Sequence, residues 1–272
     1  MKFSKVTAVW FSPTGNTRKV VQTVADTLAA ALQLPRADVD LTLPAGRGEA
    51  HSFGPEDLVV FGTPTYAGRI PNKMQPTFAA QFHGEGTAAV ALALYGNRSF
   101  QDALSELNGL LRENGFVTVG GASVVSEHVF SDKLAQGRPN ADDLAALTDF
   151  AQQLAERLKT SDVLTPVAVP GNDPVGPYYT PLGVDGQPAK FLKATPKTTD
   201  ACTDCGKCAA VCPMGSIPAD APRTVTGICI KCQACIKVCP QHAKYFDDAA
   251  FLSHVAMLEK NYSARQENGF YL

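Results

Sequence analysis

The sequence predicts an α/β protein with a doubly wound parallel sheet of about five strands, followed by a small cysteine-rich domain. Over residues 1–158, apolar β-type runs alternate with amphipathic helical stretches, which is the pattern of a doubly wound sheet. All eight cysteines lie within residues 202–239, and the first 201 residues contain none. A chain of 272 residues, 45% of them hydrophobic, can bury a sizeable core and build two domains.

Five apolar runs are the candidate strands, and three amphipathic stretches are the candidate helices. Helical stretches repeat apolar residues every three or four positions, as Val20, Val24 and Leu28 do. The strand at 58–63 is continuously apolar, as a central parallel strand should be, whereas the run at 38–43 is weaker. The predicted strands are 6–11, 38–43, 58–63, 88–94 and 117–125, and the predicted helices are 17–32, 100–114 (stopped by Gly115) and 142–158.

Residues 159–199 have a different composition, with seven prolines and four glycines in 41 residues and no apolar period. Such a segment is too long for a simple connection inside a compact domain, so it is predicted to be a linker. Tyr178, Tyr179 and Phe191 are expected to anchor it on a domain surface. The predicted organisation is a sheet domain at 1–158, the linker at 159–199, a cysteine-rich domain at 200–246, and a helix (251–262) with an apolar tail in 247–272.

The cysteines form two copies of the run C-x-x-C-x-x-C-x-x-x-C-P, which is the ligand spacing of [4Fe–4S] clusters. In two-cluster proteins of this type, the fourth cysteine of each run binds the other cluster. The sequence therefore assigns Cys202, Cys205, Cys208 and Cys239 to one cluster, and Cys229, Cys232, Cys235 and Cys212 to the other. Zinc sites prefer separated C-x-x-C pairs, and disulfides suit short secreted chains, so both are weaker alternatives.

Charge and hydropathy narrow the classes of partner. The net side-chain charge of −2 gives no basis for nucleic-acid binding. No apolar run reaches 18 residues, so no membrane span is expected. Clustered reduced thiols without a hydrophobic leader predict a cytoplasmic protein, and clusters of this type further suggest an anaerobic or low-oxygen cell.

The turn after the first predicted strand is a candidate phosphate site. It offers hydroxyls, an amide and backbone N–H groups at the start of a helix, which together favour a bound anion. Neither a Walker A loop nor a G-x-G-x-x-G turn is present. A turn that only caps the helix remains the alternative. The loop residues are Ser12, Pro13, Thr14, Gly15, Asn16 and Thr17.

This loop is similar to the FMN phosphate loop of flavodoxins. Joined to the two cysteine runs, the chain resembles the flavodoxin–ferredoxin fusion family of bacterial electron-transfer proteins over nearly its full length. Residues 62–71, 94–98 and 126–128 add to the resemblance. It implies a flavodoxin-like five-stranded sheet that binds FMN, and a small α+β ferredoxin domain of the bacterial 2[4Fe–4S] type.

The resemblance also implies that the loops after the third and fourth strands enclose the flavin ring. Tyr66 and Tyr95 are then the stacking candidates, although each may instead serve only the domain surface or the strand end. The third-strand loop has no tryptophan to cover the ring, and Trp10 is expected in the core. The implied contacts are Thr63, Pro64, Thr65, Tyr66, Ala67 and Gly68 in one loop, and Tyr95, Gly96, Asn97 and Arg98 in the other.

The sequence favours an electron carrier that links two clusters and FMN to other redox proteins, such as a ferredoxin, a flavodoxin or a low-potential oxidoreductase. No catalytic acid–base constellation stands out. The competing hypothesis is a flavin reductase in which His128 or Glu127 supplies a proton, and a redox sensor is a third. No nicotinamide-binding domain is evident. A head-to-tail homodimer is expected if the flavin lies far from the clusters of its own chain.

Overall fold

The computed structural model describes residues 3–161 and 163–272. In chain order, the strands are β1 (Lys5–Trp10), β2 (Arg36–Asp40), β3 (His51–Phe53), β4 (Asp57–Pro64), β5 (Phe82–Gly84), β6 (Thr87–Tyr95), β7 (Phe116–Val125), β8 (Lys197–Thr198), β9 (Lys244–Tyr245) and β10 (Gly269–Tyr271). The helices are α1 (Asn16–Leu32), α2 (Gln75–Gln81), α3 (Ala103–Glu113), α4 (Ala141–Thr160), α5 (Lys207–Ala210), α6 (Ala234–Lys237) and α7 (Ala249–Asn261), with a 3₁₀ turn at Pro44–Arg47.

The central sheet has the order β2–β1–β4–β6–β7–β10, and its first five strands are parallel. Counted along the parallel strands alone, the order is 2-1-3-4-5, which is the flavodoxin-like order of a doubly wound sheet. The predicted fold class is confirmed. In this topology ligands bind at the carboxyl ends of the strands, beside the point where the strand order reverses.

Both faces of the sheet are covered, which explains the continuously apolar central strands. Helices α1 and α4 pack on one face through residues such as Val24 and Leu154. Helices α2 and α3 pack on the other face through residues such as Phe78 and Leu107. The edge strand β2 is mostly exposed and starts two residues before the predicted run, because half-exposed strands lack a continuous apolar signal.

The carboxyl-terminal tail completes the sheet. Strand β10 pairs antiparallel with β7, and Phe270 stacks on Phe150 of α4 with ring centroids 5.4 Å apart. The sequence predicts an apolar tail that packs on a surface, but three residues are too few to show the period of a strand. The chain therefore leaves the sheet after α4, forms the cysteine-rich part, and returns to the sheet.

The proline-rich segment runs along the sheet domain before it reaches the cysteines. The Tyr179 N–H donates to Ala67 O at 2.8 Å, and the Tyr178 hydroxyl donates to Ile70 O at 2.9 Å. Phe191 instead packs on two rings of α7. All three predicted anchor residues thus make contacts, two with the sheet domain and one with the last helix.

The cysteine-rich part contains the short helices α5 and α6 and the two-stranded antiparallel sheet β8–β9. Among the helices of the described residues, none has the length and apolarity needed to cross a membrane.

Candidate cofactor sites

The eight cysteines surround two separate cavities. Cys202, Cys205, Cys208 and Cys239 line one, which we call the outer cavity. Cys212, Cys229, Cys232 and Cys235 line the other, the inner cavity. This is the crossed grouping that the sequence predicts, in which the last cysteine of each run joins the other set.

Each cavity suits a cubane cluster better than a single ion. In the part of the chain that the structure describes, no three His, Cys, Asp or Glu side chains converge on one metal-ion position. The thiols are free and surround a space, as they must if each sulfur binds a different corner of a cube. The Ser216 N–H points at Cys212 Sγ, and the Ala243 N–H points at Cys239 Sγ, each at 3.3 Å. Such N–H···S bonds stabilise an anionic cluster.

The backbone around the first cysteine run is repeated around the second. The second copy lies 27 residues after the first, and the left-handed backbone conformation recurs at the same places. The pairs with positive φ are Asp204 (51°) and Lys231 (57°), Gly206 (72°) and Gln233 (64°), and Gly215 (61°) and His242 (48°). The repeat seen in the cysteine spacing is therefore a repeat of the fold.

The surroundings of the two copies differ. We call the first cysteine run (202–212) the outer copy and the second (229–239) the inner copy. Cys205 of the outer copy is exposed, whereas its counterpart Cys232 in the inner copy is only 8% exposed. Burial raises the pKa of Cys232 to about 12, with smaller effects from neighbouring cysteines, so iron must displace a tightly held proton there. The inner loop is covered because it faces the sheet domain.

A third cavity, of about 690 Å³, lies at the carboxyl ends of β1, β4 and β6. This is where the fold predicts a ligand. The three predicted flavin loops supply one side, and the linker and the inner cysteine loop supply the other. Its predicted lining residues are Thr14, Asn16, Thr17, Pro64, Thr65, Tyr66, Ala67, Gly68, Tyr95, Gly96 and Arg98, and the inner loop contributes Ile228, Cys229, Ile230 and Lys231.

The phosphate end of this cavity has unpaired donors. Helix α1 begins at Asn16 after Gly15, whose φ is +91°. Within residues 3–161 and 163–272, the N–H groups of Thr14, Asn16 and Thr17 and the hydroxyls of both threonines have no hydrogen-bond partner. Ser12 is used differently, because its hydroxyl accepts the Arg18 N–H at 2.9 Å. The loop can therefore offer at least five donors to an anion at a helix N-terminus.

The ring end of the cavity also has a free polar group. The Thr65 hydroxyl is buried without a partner among the described residues, while its N–H donates to Leu94 O at 2.6 Å. Tyr66 and Arg69 then form a tight turn closed by two backbone bonds. Burial raises the pKa of Tyr66 well above its usual range, and nearby cysteines of the inner set add to the shift. Tyr66 lines the same cavity as Cys229 of the inner set.

Some predicted site residues serve the scaffold instead. Ser12, Pro13, Gly15, Thr63 and Asn97 do not line the cavity, and Thr63 is fully buried in β4. Asn97 donates through its side chain to Tyr262 O and Ala264 O, and so fixes the chain after α7. Tyr95 lines the cavity, but its hydroxyl donates to Glu267 O at 3.2 Å and its ring packs on Phe100.

The two predicted proton donors are poorly suited to that role. Burial, with the positive charges of nearby groups, lowers the pKa of His128 to about 4, so its imidazole is neutral near pH 7. Partial burial acts to raise the pKa of Glu127, but the hydrogen bond and charge of Lys237 outweigh it and lower that pKa. Glu127 is therefore ionised near pH 7 and pairs with Lys237 of α6 across the two parts of the chain.

Arg69 and Arg98, which follow β4 and β6, lie in different settings. The Arg98 guanidinium stacks on the Tyr179 ring, 3.8 Å from its centroid, at the cavity wall. Arg69 is turned away and pairs with the buried Glu106, with Nη2 and Oε1 2.6 Å apart. A role for Arg69 beside the flavin is therefore not supported by its position.

The sequence analysis did not identify the inner cysteine loop as a wall of the third cavity. One signal was available. Position 231 is a lysine where the first copy has Asp204, and its amine donates to Leu192 O of the linker and to Cys229 O. A residue that differs between duplicated copies indicates that one copy has acquired a contact that the other lacks.

The cysteine-rich region matches a known family, and the chain is similar to several solved structures. Residues 195–240 match the family described as the 4Fe-4S dicluster domain. No curated protein matches the sequence. A flavodoxin from Streptococcus pneumoniae is similar at 22% identity over 57% of this chain and 99% of its own, with a TM-score of 0.40. A flavodoxin from the domain Archaea (16% identity, 57% and 99% covered, TM-score 0.40) and an NADH:FMN oxidoreductase (16%, 59% and 93%, 0.41) are also similar.

The chain therefore joins a flavodoxin-like sheet, identified by its strand order, to a 4Fe–4S dicluster domain, identified by sequence family and by the grouping of its cysteines. A dicluster domain of this type carries electrons. The protein is thus redox-active.

Proposed function

We propose that this protein transfers electrons within one chain, between two [4Fe–4S] clusters and an FMN, and exchanges them with other redox proteins at the outer cluster. One observation carries the proposal. Residues 228–231, which include a cysteine of the inner set, form a wall of the same cavity that Thr14, Thr17 and Tyr66 line. A flavin held there and a cluster held by the inner cysteines are neighbours.

The residues of the cavity fit FMN. The unpaired N–H and hydroxyl donors at the start of α1 suit a phosphate dianion, which also gains from the helix dipole. The volume of about 690 Å³ is in the range of cofactor sites, and the carboxyl end of the sheet is the usual location. When bound, FMN exchanges one or two electrons while each cluster exchanges one.

Contacts within the chain connect the sheet domain to the cysteine-rich part. The linker and the inner cysteine loop cover the cavity from the side opposite the sheet. The Glu127–Lys237 ion pair and the bond from the Arg47 guanidinium to Pro213 O, at 2.7 Å, connect the sheet to both cysteine runs. We assign residues 1–158 to the flavin domain, 159–199 to the linker, 200–246 to the cluster domain, and 247–272 to a helix and tail that return to the sheet.

A carrier is favoured over a reductase because the two proton donors that the sequence offers, His128 and Glu127, are poorly suited to that role. His128 is neutral with a pKa of about 4, and Glu127 is ionised in its pair with Lys237. The cavity volume is the observation that favours the reductase as the second candidate, since it leaves room for a small acceptor.

Anaerobic reconstitution tests the proposal. We expect about eight iron and eight sulfide per chain, because each four-cysteine set closes one cube. One FMN should bind the cluster-loaded chain, and dithionite should reduce the flavin and both clusters without any added carrier. An iron content near four, or a chain that binds no FMN, contradicts the proposal. Turnover with small flavin-reductase acceptors at rates above those of protein acceptors would favour the second candidate.

A further inference from the structure

The duplicated copies differ at one residue in a way that local structure does not explain. Gly206 precedes α5 and Gln233 precedes α6, each in the left-handed conformation, with φ of 72° and 64°. Glycine adopts this conformation freely, whereas any other L-residue is strained in it. The first copy shows that glycine suffices for this turn, so the glutamine has a cost without a local benefit.

The side chain of Gln233 adds a second cost. The residue is 6% exposed, and its amide nitrogen is buried with no hydrogen-bond partner in the part of the chain that the structure describes. A buried polar group without a partner destabilises the fold, because it has lost its hydrogen bonds to water. Two unfavourable features at one residue, in only one copy, call for a common explanation.

The location of Gln233 supplies that explanation. The residue lines the inner cavity, between Cys232 and Cys235 in sequence. The sulfur atoms of a [4Fe–4S] cluster accept hydrogen bonds and donate none, so they pair with an amide nitrogen and not with an amide oxygen. We propose that Gln233 donates its side-chain N–H to a sulfur of the inner cluster and thereby raises the reduction potential of that cluster.

The sign follows from charge. Reduction adds one negative charge to the cluster, and a hydrogen bond to a more negative acceptor is stronger. The bond therefore stabilises the reduced state, which is a higher potential, and hydrogen bonds to sulfur are a recognised determinant of cluster potential. The effect moves an electron shared by the two clusters toward the inner one, beside the flavin cavity.

The copies also differ in charge, because Lys231 stands beside Cys229 where the first copy has Asp204, but two other groups near the clusters act on both copies alike. The backbone N–H···S bonds of Ser216 and Ala243 have the same length of 3.3 Å in both copies. Burial raises the pKa of Cys208 in the outer set and of Cys235 in the inner set. The charge of Lys244 opposes this shift at both cysteines. The Gln233 amide has no counterpart at Gly206.

The experiment uses the full chain, reconstituted anaerobically, with both cluster potentials measured by titration monitored by electron paramagnetic resonance. Gln233→Leu removes the amide and keeps a side chain, and Gln233→Gly reproduces the first copy. Both should shift one potential to a more negative value and leave the other unchanged. The shifted cluster is the inner one if its signal is also the one lost in Cys229→Ser. Gln241→Leu is the matched control, because Gln241 lines the outer cavity but is exposed; it should change neither potential.

A second readout separates donation from packing. After exchange into D₂O, pulsed resonance should detect an exchangeable deuteron coupled to the inner cluster that is absent in Gln233→Leu. The proposal fails if both variants keep the parental potentials, if only one shifts, or if Gln241→Leu shifts its cluster equally. It rests only on the cluster part of the proposed function. Absence of two clusters from the parental chain would refute that part, whereas two clusters with unmoved potentials would refute only the role of Gln233.

Discussion

The outer and inner cysteine copies have one backbone and two environments. Their cysteines, short helices and left-handed residues recur at the same 27-residue spacing. Yet Asp204 of the outer copy pairs with Arg223 at the surface, while Lys231 of the inner copy bonds to the linker. The comparison indicates that duplication supplies the ligands, and that contacts with the sheet domain give each cluster its task. The exposed copy suits exchange with partners, and the covered copy suits transfer to the flavin.

The largest expected effect tests whether the copies share ligands. Cys212→Ala should remove the inner cluster, although Cys212 belongs to the first run, because it lines the cavity of the second. Iron and sulfide should fall from about eight to about four per chain. Alkylation should then label Cys229, Cys232 and Cys235 and spare the outer set. Loss of the outer cluster instead would mean that each run binds its own cluster.

The next largest expected effect is a loss of FMN affinity that leaves both clusters in place. Asn16→Asp should weaken FMN binding by at least about tenfold, since it places a carboxylate beside the phosphate, and a tenfold loss corresponds to about 1.4 kcal/mol. Both clusters should remain. Fluorescence titration of FMN with the cluster-loaded chain measures the effect.

Ser126→Ala is the matched control for this variant. The Asn16 amide donates to Ser126 Oγ at 2.8 Å, and the alanine removes that bond without adding charge. It should weaken FMN binding much less. Equal losses in the two variants would assign the effect to the loop's structure, and unchanged affinity in Asn16→Asp would exclude this loop as the phosphate site.

A smaller effect is expected from a group that both clusters share. Lys244 is 3% exposed, donates to Thr198 Oγ1 at 2.8 Å, and forms no ion pair with any described carboxylate. A buried cation requires a counter-charge, and two anionic clusters provide one. Lys244→Met should therefore lower both potentials, whereas Gln233→Leu should lower one. A shift confined to one cluster in Lys244→Met would contradict the shared role.

The fold and the grouping of the cysteines could be predicted from the sequence because both depend on local patterns. Cysteine spacing fixes which thiols meet, and apolar runs such as 58–63 identify strands buried on both faces. The strand at 269–271 was not predicted, because its partner β7 lies more than 140 residues away and three residues carry no period. For the same reason the cover of the flavin cavity by Ile230 and Lys231 could not be inferred, since it depends on the path of the linker.

The loop at residues 12–17 could be predicted from the sequence only in part. The pattern at residues 12–17 predicts a turn at the cavity that Thr14, Asn16 and Thr17 line, but it does not show which groups of the turn remain free. Among the described residues, the hydroxyls of Thr14 and Thr17 have no hydrogen-bond partner, whereas the Ser12 hydroxyl accepts the Arg18 N–H. A residue type shows what a side chain can bond, and only the three-dimensional contacts show which bonds are already made.

The central claim is that the covered inner cluster and the flavin exchange electrons within one chain. Stopped-flow reduction of the FMN- and cluster-loaded protein, monitored at flavin and cluster wavelengths over a wide range of protein concentration, tests it most directly. The inner loop forms a wall of the flavin cavity in the same chain, so the cluster-to-flavin rate should not depend on protein concentration. A rate that rises in proportion to concentration would show that electrons pass between chains, and would contradict the account.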